Sequence, residues 1–183
     1  MSADNPALLG RIEQNLGIIA NIRGDLAAAL SHYENSLAAS MRARDDSGCA
    51  IAYHNLGMIS ADQHDWARAD HYFDASLALA DSLGDVRLRG LCLLNRTEVF
   101  IARQRFEEAR VSAEDALRLF DELDARAQKA DAYKFLGVVY RETGRSVLAA
   151  ARLTSAIALA AECGSALGEA EASRELAKLH QLM

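Results

Sequence analysis

The sequence predicts an all-α fold, an α-solenoid of four helix-turn-helix repeats closed by one C-terminal helix. Three observations carry that expectation. Leu16-Gly17 recurs as Leu56-Gly57 and as Leu136-Gly137, in steps of 40 and 80 residues, with Arg96-Thr97 in the register of the missing copy. Within each period the apolar residues fall at helical spacing in two runs, as in Tyr53, Leu56 and Ile59, then Trp66, Ala69, Phe73 and Leu77. The single proline of the 183 residues is Pro6, so nothing further along a chain rich in Ala, Leu, Glu and Arg forbids a helical amide bond. A fixed period of this length marks stacked supersecondary units, none of which buries its apolar face alone.

The helices follow in order: 6–22, 26–43, 46–62, 66–82, 86–102, 106–122, 125–142, 146–162 and 166–181. Asn5-Pro6 opens the first as cap and first-turn proline, and the array is expected to begin there. Gly24-Asp25, His64-Asp65, Gln104-Arg105 and Gly144-Arg145 separate the two helices of a repeat. Arg44-Asp45, Gly84-Asp85, Leu123-Asp124 and Gly164-Ser165 separate one repeat from the next. At such places Gly can end one helix and Asp can cap the next. One repeat domain over residues 1–183 results, with repeats at about 6–44, 45–84, 85–124 and 125–164 and a closing helix over 165–183. Gly17, Gly57 and Gly137 are expected to leave hollows into which Ala29, Ala69 and Ala149 settle, while Tyr33, Phe73 and Leu153 fill the space between repeats.

Composition bounds the function. Hydrophobic residues at 51% and charged residues at 25% suit a soluble globular core and are too apolar for a disordered chain. A formal charge of −6 gives no field that would draw the chain to nucleic acid or anionic lipid. No apolar run approaches the roughly 20 residues of a membrane helix, and Met1 to Asn5 lack the basic start of a secretion signal, so a cytoplasmic protein is expected. Cys49, Cys92 and Cys163 stand in no metal-ligand spacing and read as reduced, small apolar core residues. His32, His54, His64, His71 and His180 are scattered and read as solvated surface histidines, and there is no Gly-rich phosphate loop or Gly-x-Ser-x-Gly. No catalytic residue, metal site or cofactor is expected, and the chain is read as a binding protein rather than an enzyme.

Leu136-Gly137-x-x-Tyr140 with Ala149 twelve residues after the glycine, and Gly57 with Ala69 and Phe73, resemble the tetratricopeptide repeat over residues 6–181. The period is 40 rather than 34 and the proline that often ends a repeat is absent, which points to the 40-residue subtype with an Asn-Leu-Gly motif. The resemblance implies a right-handed superhelix whose concave side is lined by the first helix of each repeat. Residues in that register include Asn15 of the first repeat and His54, Asn55 and Met58 of the second. Leu91, Leu94, Asn95 and Glu98 follow in the third, and Lys134, Phe135, Val138 and Arg141 in the fourth.

Asn15, Asn55 and Asn95 recur at one position, and an amide can both donate to and accept from a peptide backbone, or simply support its own repeat. Ile51, Met58, Leu91, Leu94, Phe135 and Val138 suggest sockets for apolar side chains of a ligand, or else a tightly wound interior. A scaffold that holds a peptide or partner helix in the groove is therefore expected. The alternative is a regulatory module of a bacterial-type signalling system acting in trans on a transcription factor or kinase. Gln14, Ile18 and Leu91 occupy places where the family's clamp for chaperone tails needs basic residues or asparagines, so that ligand is not supported. The last helix pairs polar Ser173 and His180 with apolar Leu176, Leu182 and Met183, an end through which two chains could form a homodimer.

Overall fold

A computed structural model describes residues 5–181. Among them are nine helices and no strand: α1 (Pro6–Ile22), α2 (Leu26–Ala43), α3 (Asp46–Asp62), α4 (Trp66–Leu83), α5 (Val86–Ala102), α6 (Phe106–Glu122), α7 (Arg126–Glu142), α8 (Ser146–Glu162) and α9 (Ala166–Gln181). The expected boundaries hold to within one residue: α4 runs one residue longer and α7 starts one residue later. The apolar Leu182 and Met183 of the sequence reading lie outside the described residues.

Turn chemistry explains this regularity. A residue with positive φ stands at 24, 44, 64, 84, 104, 124, 144 and 164, one at the end of each helix from α1 to α8, and four of the eight are glycines. After it, Asp25, Asp45, Asp65 and Asp85 accept hydrogen bonds from the backbone N–H groups of Ala28, Gly48, Arg68 and Leu88 at 2.9–3.1 Å. Asn5 caps α1 in the same way through Leu8 at 3.1 Å, and Ser165 caps α9 through Gly168 at 3.2 Å. Arg105, Ala125 and Arg145 make no such bond, so α6, α7 and α8 begin without a side-chain cap. Asp124, expected as a cap, is instead the left-handed turn residue at φ 48°, which puts Ala125 in the capping position.

The chain divides inside α5 into two compact halves, Met1–Cys92 and Leu93–Met183. In the N-terminal half each helix from α1 to α4 packs on the next, and α1 also touches α3. Its core joins Ala29 and Tyr33 of α2 to Leu56 and Ile59 of α3, and Ala50 to Ala80, Leu88 and Cys92. In the C-terminal half α6 packs on α7, α7 on α8, and α9 on both α7 and α8. There Ala113, Leu136, Tyr140, Ala149 and Leu179 form one cluster, and Phe100, Ala109 and Val139 another. Of the three cysteines expected in the core, Cys49 and Cys92 are buried, but Cys163 is exposed because it stands just past the end of α8. Leu176 belongs to the first of these, so this leucine packs into the protein's own core.

The glycines do their work against the large residues rather than chiefly against the alanines. A Cβ on Gly17 would lie 2.5 Å from the Tyr33 ring, one on Gly57 2.6 Å from Phe73, and one on Gly137 2.5 Å from Leu153 Cγ. Tyr33, Phe73 and Leu153 thus sit directly over the glycine of their own repeat, and Tyr33 also reaches Leu56 and Ile59 of the next. In the third repeat the same two register positions hold Thr97 and Ala113, both fully buried. Size has moved between the two positions: a larger residue replaces glycine where a methyl replaces the ring, so the pair is not overpacked. A second tie is polar. Ser36 and Ser76 donate to the carbonyls of Gly10 and Ala50 at 2.8 Å, fastening the second helix of each repeat to the first.

Candidate functional site

The face of interest is the one that the first helix of each repeat, together with α9, leaves outside its packing. In the N-terminal half Asn15 is exposed on α1, whereas on α3 Ile51, Asn55 and Met58 are half-buried. His54, expected as a solvated surface histidine, is instead closed off: the residue is 8% exposed, its ring lies 6.0 Å from the Phe73 ring between centroids, and its Nδ1 is 3.4 Å from Asn55 Oδ1. Burial lowers the His54 pKa below the usual imidazole range, and the Asn55 bond opposes that only in part. His54 is therefore a neutral core residue that orients the amide beside it. Leu91 is half-buried near the end of this half.

In the C-terminal half Leu94 is 4% exposed, too enclosed to serve as an open socket, while Asn95 is half-buried and Glu98 exposed. On α7 Phe135 and Val138 remain half-open and line a hollow of about 200 Å³ with Lys134, Glu171, Arg174 and Glu175. Lys134 lies over the Phe135 ring at 5.1 Å from its centroid, and its Nζ donates to Glu171 Oε2 at 2.6 Å. Burial alone would lower the Lys134 pKa, but Glu171 and Asp131 hold it above the usual range. Arg141, with a side chain 9% exposed, is bonded to Glu142 and to Glu175. Burial would raise the Glu175 pKa, yet hydrogen bonds from Lys178 and Arg141 hold it below the ordinary carboxylate range.

Lys134 and Arg141 of the expected groove thus already have acidic partners on α9. What the hollow offers is an apolar floor, Phe135 and Val138, with a balanced charged rim. Glu175 was missed by the sequence reading although the period points to it: 15, 55, 95, 135 and 175 are one register position, read as Asn, Asn, Asn, Phe and Glu. No group of three or more His, Cys, Asp or Glu among the described residues could hold a metal ion, and no described helix is long and apolar enough to cross a membrane.

A family model for the tetratricopeptide repeat matches residues 8–82 and again 48–122, the two matches displaced by the length of one repeat. No curated protein matches the chain in sequence. Among solved structures it is similar to BtubC (BKLC) of P. vanneervenii, with a TM-score of 0.72 at 18% identity, covering 97% of this chain and 82% of that one. A putative kinesin light chain of Podospora anserina with nearly identical TPR-like repeats gives 0.75 at 16% identity, covering 97% and 87%. Aspartyl phosphate phosphatase F of Bacillus subtilis gives 0.83 at 12% identity, and there the match spans 93% of this chain but 44% of the phosphatase.

Proposed function

Because the chain belongs to the tetratricopeptide repeat family, we propose that it acts as a scaffold holding a protein partner, an extended peptide or a helix, against the first-helix faces of its repeats. One observation carries the reading. On each of these helices the packed face is closed, while the remaining face keeps half-open apolar and amide side chains in the same register: Asn55 and Met58 on α3, Asn95 on α5, Phe135 and Val138 on α7. Half-open apolar groups next to amides suit a ligand that brings both side chains and a peptide backbone. His54 supports the contact from behind by orienting Asn55, and Lys134 by covering one face of Phe135.

The test is capture of the partner from the source cell, identification by mass spectrometry, and calorimetric titration of the partner found. A neutral hydrogen bond contributes about 0.5 to 1.5 kcal/mol, so Asn55→Ala and Asn95→Ala should each weaken binding modestly and the pair more clearly. Phe135→Ala should weaken it through lost apolar contact. Glu108→Lys, at an exposed position of α6, should leave affinity unchanged. Equal affinity for wild type, the double asparagine variant and Phe135→Ala would place the site elsewhere. Retrieval of a kinase or transcription-factor domain would favour a regulatory role in trans over a peptide scaffold.

A further inference from the structure

The register of Glu13 and His32 makes a contact between the two helices of every repeat. In the first, His32 Nδ1 lies 2.8 Å from Glu13 Oε2. In the second, Tyr72 packs on Tyr53 with ring centroids 6.2 Å apart, and in the fourth the Arg152 guanidinium lies over the Tyr133 ring at 5.6 Å. The third repeat departs from this. There Ser112 meets Leu93 and donates its hydroxyl hydrogen to the Leu93 carbonyl at 2.8 Å. A planar side chain is missing where the other three repeats have one.

At that place is a pocket of about 320 Å³ between α5 and α6, lined wholly by residues of the C-terminal half. Leu93, Phe100 and Val111 give it apolar walls, Ser112 holds the position of the missing side chain, and Glu107, Glu108 and Asp115 come from α6. Arg96, the cation of the lining, lies over the Phe100 ring at 4.9 Å from its centroid. The three carboxylates belong to this repeat alone. Their register holds Ala27, Ala28 and Asn35 in the first repeat, Ala67, Arg68 and Ala75 in the second, and Val147, Leu148 and Ser155 in the fourth. Loss of the filling side chain and gain of negative charge therefore coincide.

We propose that this pocket takes an arginine side chain of a protein partner. Three features select that occupant. The first is shape, because the group missing here is planar in every other repeat and in the fourth is itself a guanidinium. The second is charge, because the lining sets three carboxylates against one guanidinium, and an uncharged ring would complement none of them. The third is the match of donors to acceptors. A guanidinium offers five N–H donors in a planar fork suited to carboxylates, and its aliphatic stem packs on apolar walls such as Leu93 and Val111. Each carboxylate is also bonded by an arginine three residues away: Glu107 by Arg110, Glu108 by Arg105 and Asp115 by Arg118. Such exposed pairs contribute little, and an incoming guanidinium can share or replace them.

The test is two-dimensional NMR of the full isotope-labelled chain titrated with N-acetyl-arginine amide. The backbone amide signals of Leu93, Phe100, Val111 and Ser112 should shift saturably. N-acetyl-citrulline amide, similar in shape without the charge, should bind at least about tenfold more weakly, and so should the arginine probe to Glu108→Gln with Asp115→Asn. Ser112→Tyr gives the third repeat the side chain that the second has at this register, and it should abolish the shifts while circular dichroism stays native. If that variant does not fold, the charge-neutral pair decides the matter. No saturable shift, shifts confined to other residues, or equal affinity for the citrulline probe or the charge-neutral variant would each overturn the proposal. So would binding that survives a folded Ser112→Tyr, tighter binding of N-acetyl-tyrosine amide, or tighter binding of free arginine than of its blocked form. None of the lining residues is among the partner contacts proposed on α3, α5 and α7, so the result is independent of that reading.

Discussion

Gly57→Ala should destabilise the protein in the wild-type background and stabilise it once Phe73 has been cut back to alanine. The new methyl would stand 2.6 Å and 2.7 Å from two atoms of the Phe73 ring, where ordinary contact begins near 3.4 Å. The ring must therefore retreat by somewhat under an ångström, and it is fully buried with His54 beside it. Overpacking of this kind costs about 1 to 3 kcal/mol. Against it stands the helix preference for alanine over glycine, about 1 kcal/mol at an interior position. The net expectation is a loss of about 0 to 2 kcal/mol. Phe73→Ala alone should cost about 3 to 5 kcal/mol, the range for a buried aromatic.

In that second background the three atoms nearest the new methyl are gone, so Gly57→Ala should add about 1 kcal/mol of stability. The coupling between the two sites would then be about 1 to 3 kcal/mol, within the range measured for residues in direct contact. Urea denaturation followed by circular dichroism on the four proteins of the cycle measures it. Should Phe73→Ala leave too little folded protein, Gly137→Ala with Leu153→Ala poses the same question at the fourth repeat, where the methyl would lie 2.5 Å from Leu153 Cγ. An equal effect of the alanine in both backgrounds would refute the claim that the ring and the glycine are fitted to one another.

Two further predictions concern charge. Because burial holds the His54 pKa below its unfolded value, the unfolded chain binds more protons, and stability that is complete above about pH 6.5 should fall as the pH drops from there towards the folded pKa. His54→Leu should flatten that part of a urea-midpoint profile, and an unchanged slope would assign the acid sensitivity to other groups. Glu175→Gln leaves the nearly buried Arg141 with a weaker partner and should cost about 1.5 to 3 kcal/mol, the range for hydrogen bonds to charged groups. Since α9 touches only α7 and α8 in its half, the loss should appear as faster amide exchange in α9, with α7 keeping most of its protection. Unchanged exchange in α9 at low salt would show that the ion pairs do not hold it in place.

Much of this architecture was legible because each repeat presents its signals locally. The helix boundaries follow from a left-handed residue every twenty positions and from Asp25, Asp45, Asp65 and Asp85 directly after it, all of which act over three or four residues. Where those local signals lapse, at Asp124 and Ala125, the expected capping residue was off by one and the start of α7 with it. The candidate site was harder to read. The period assigns His54, Leu94 and Arg141 to the same face as Asn55 and Phe135, but a face is an angular range on a helix, and burial within it depends on what the neighbouring helices bring.

The all-helical fold, the run of each helix and the repeat register of each residue can be read along the chain, because hydrophobic period and turn chemistry act locally; the tetratricopeptide kind came from the resemblance of the Leu-Gly and Ala pattern to that family. That Phe73 rather than Ala69 covers Gly57, and that Glu171 and Glu175 neutralise Lys134 and Arg141, emerges from the packed helices alone. Each of these depends on which side chains two or three separate helices bring within a few ångströms of one another, a distance that period and composition do not encode.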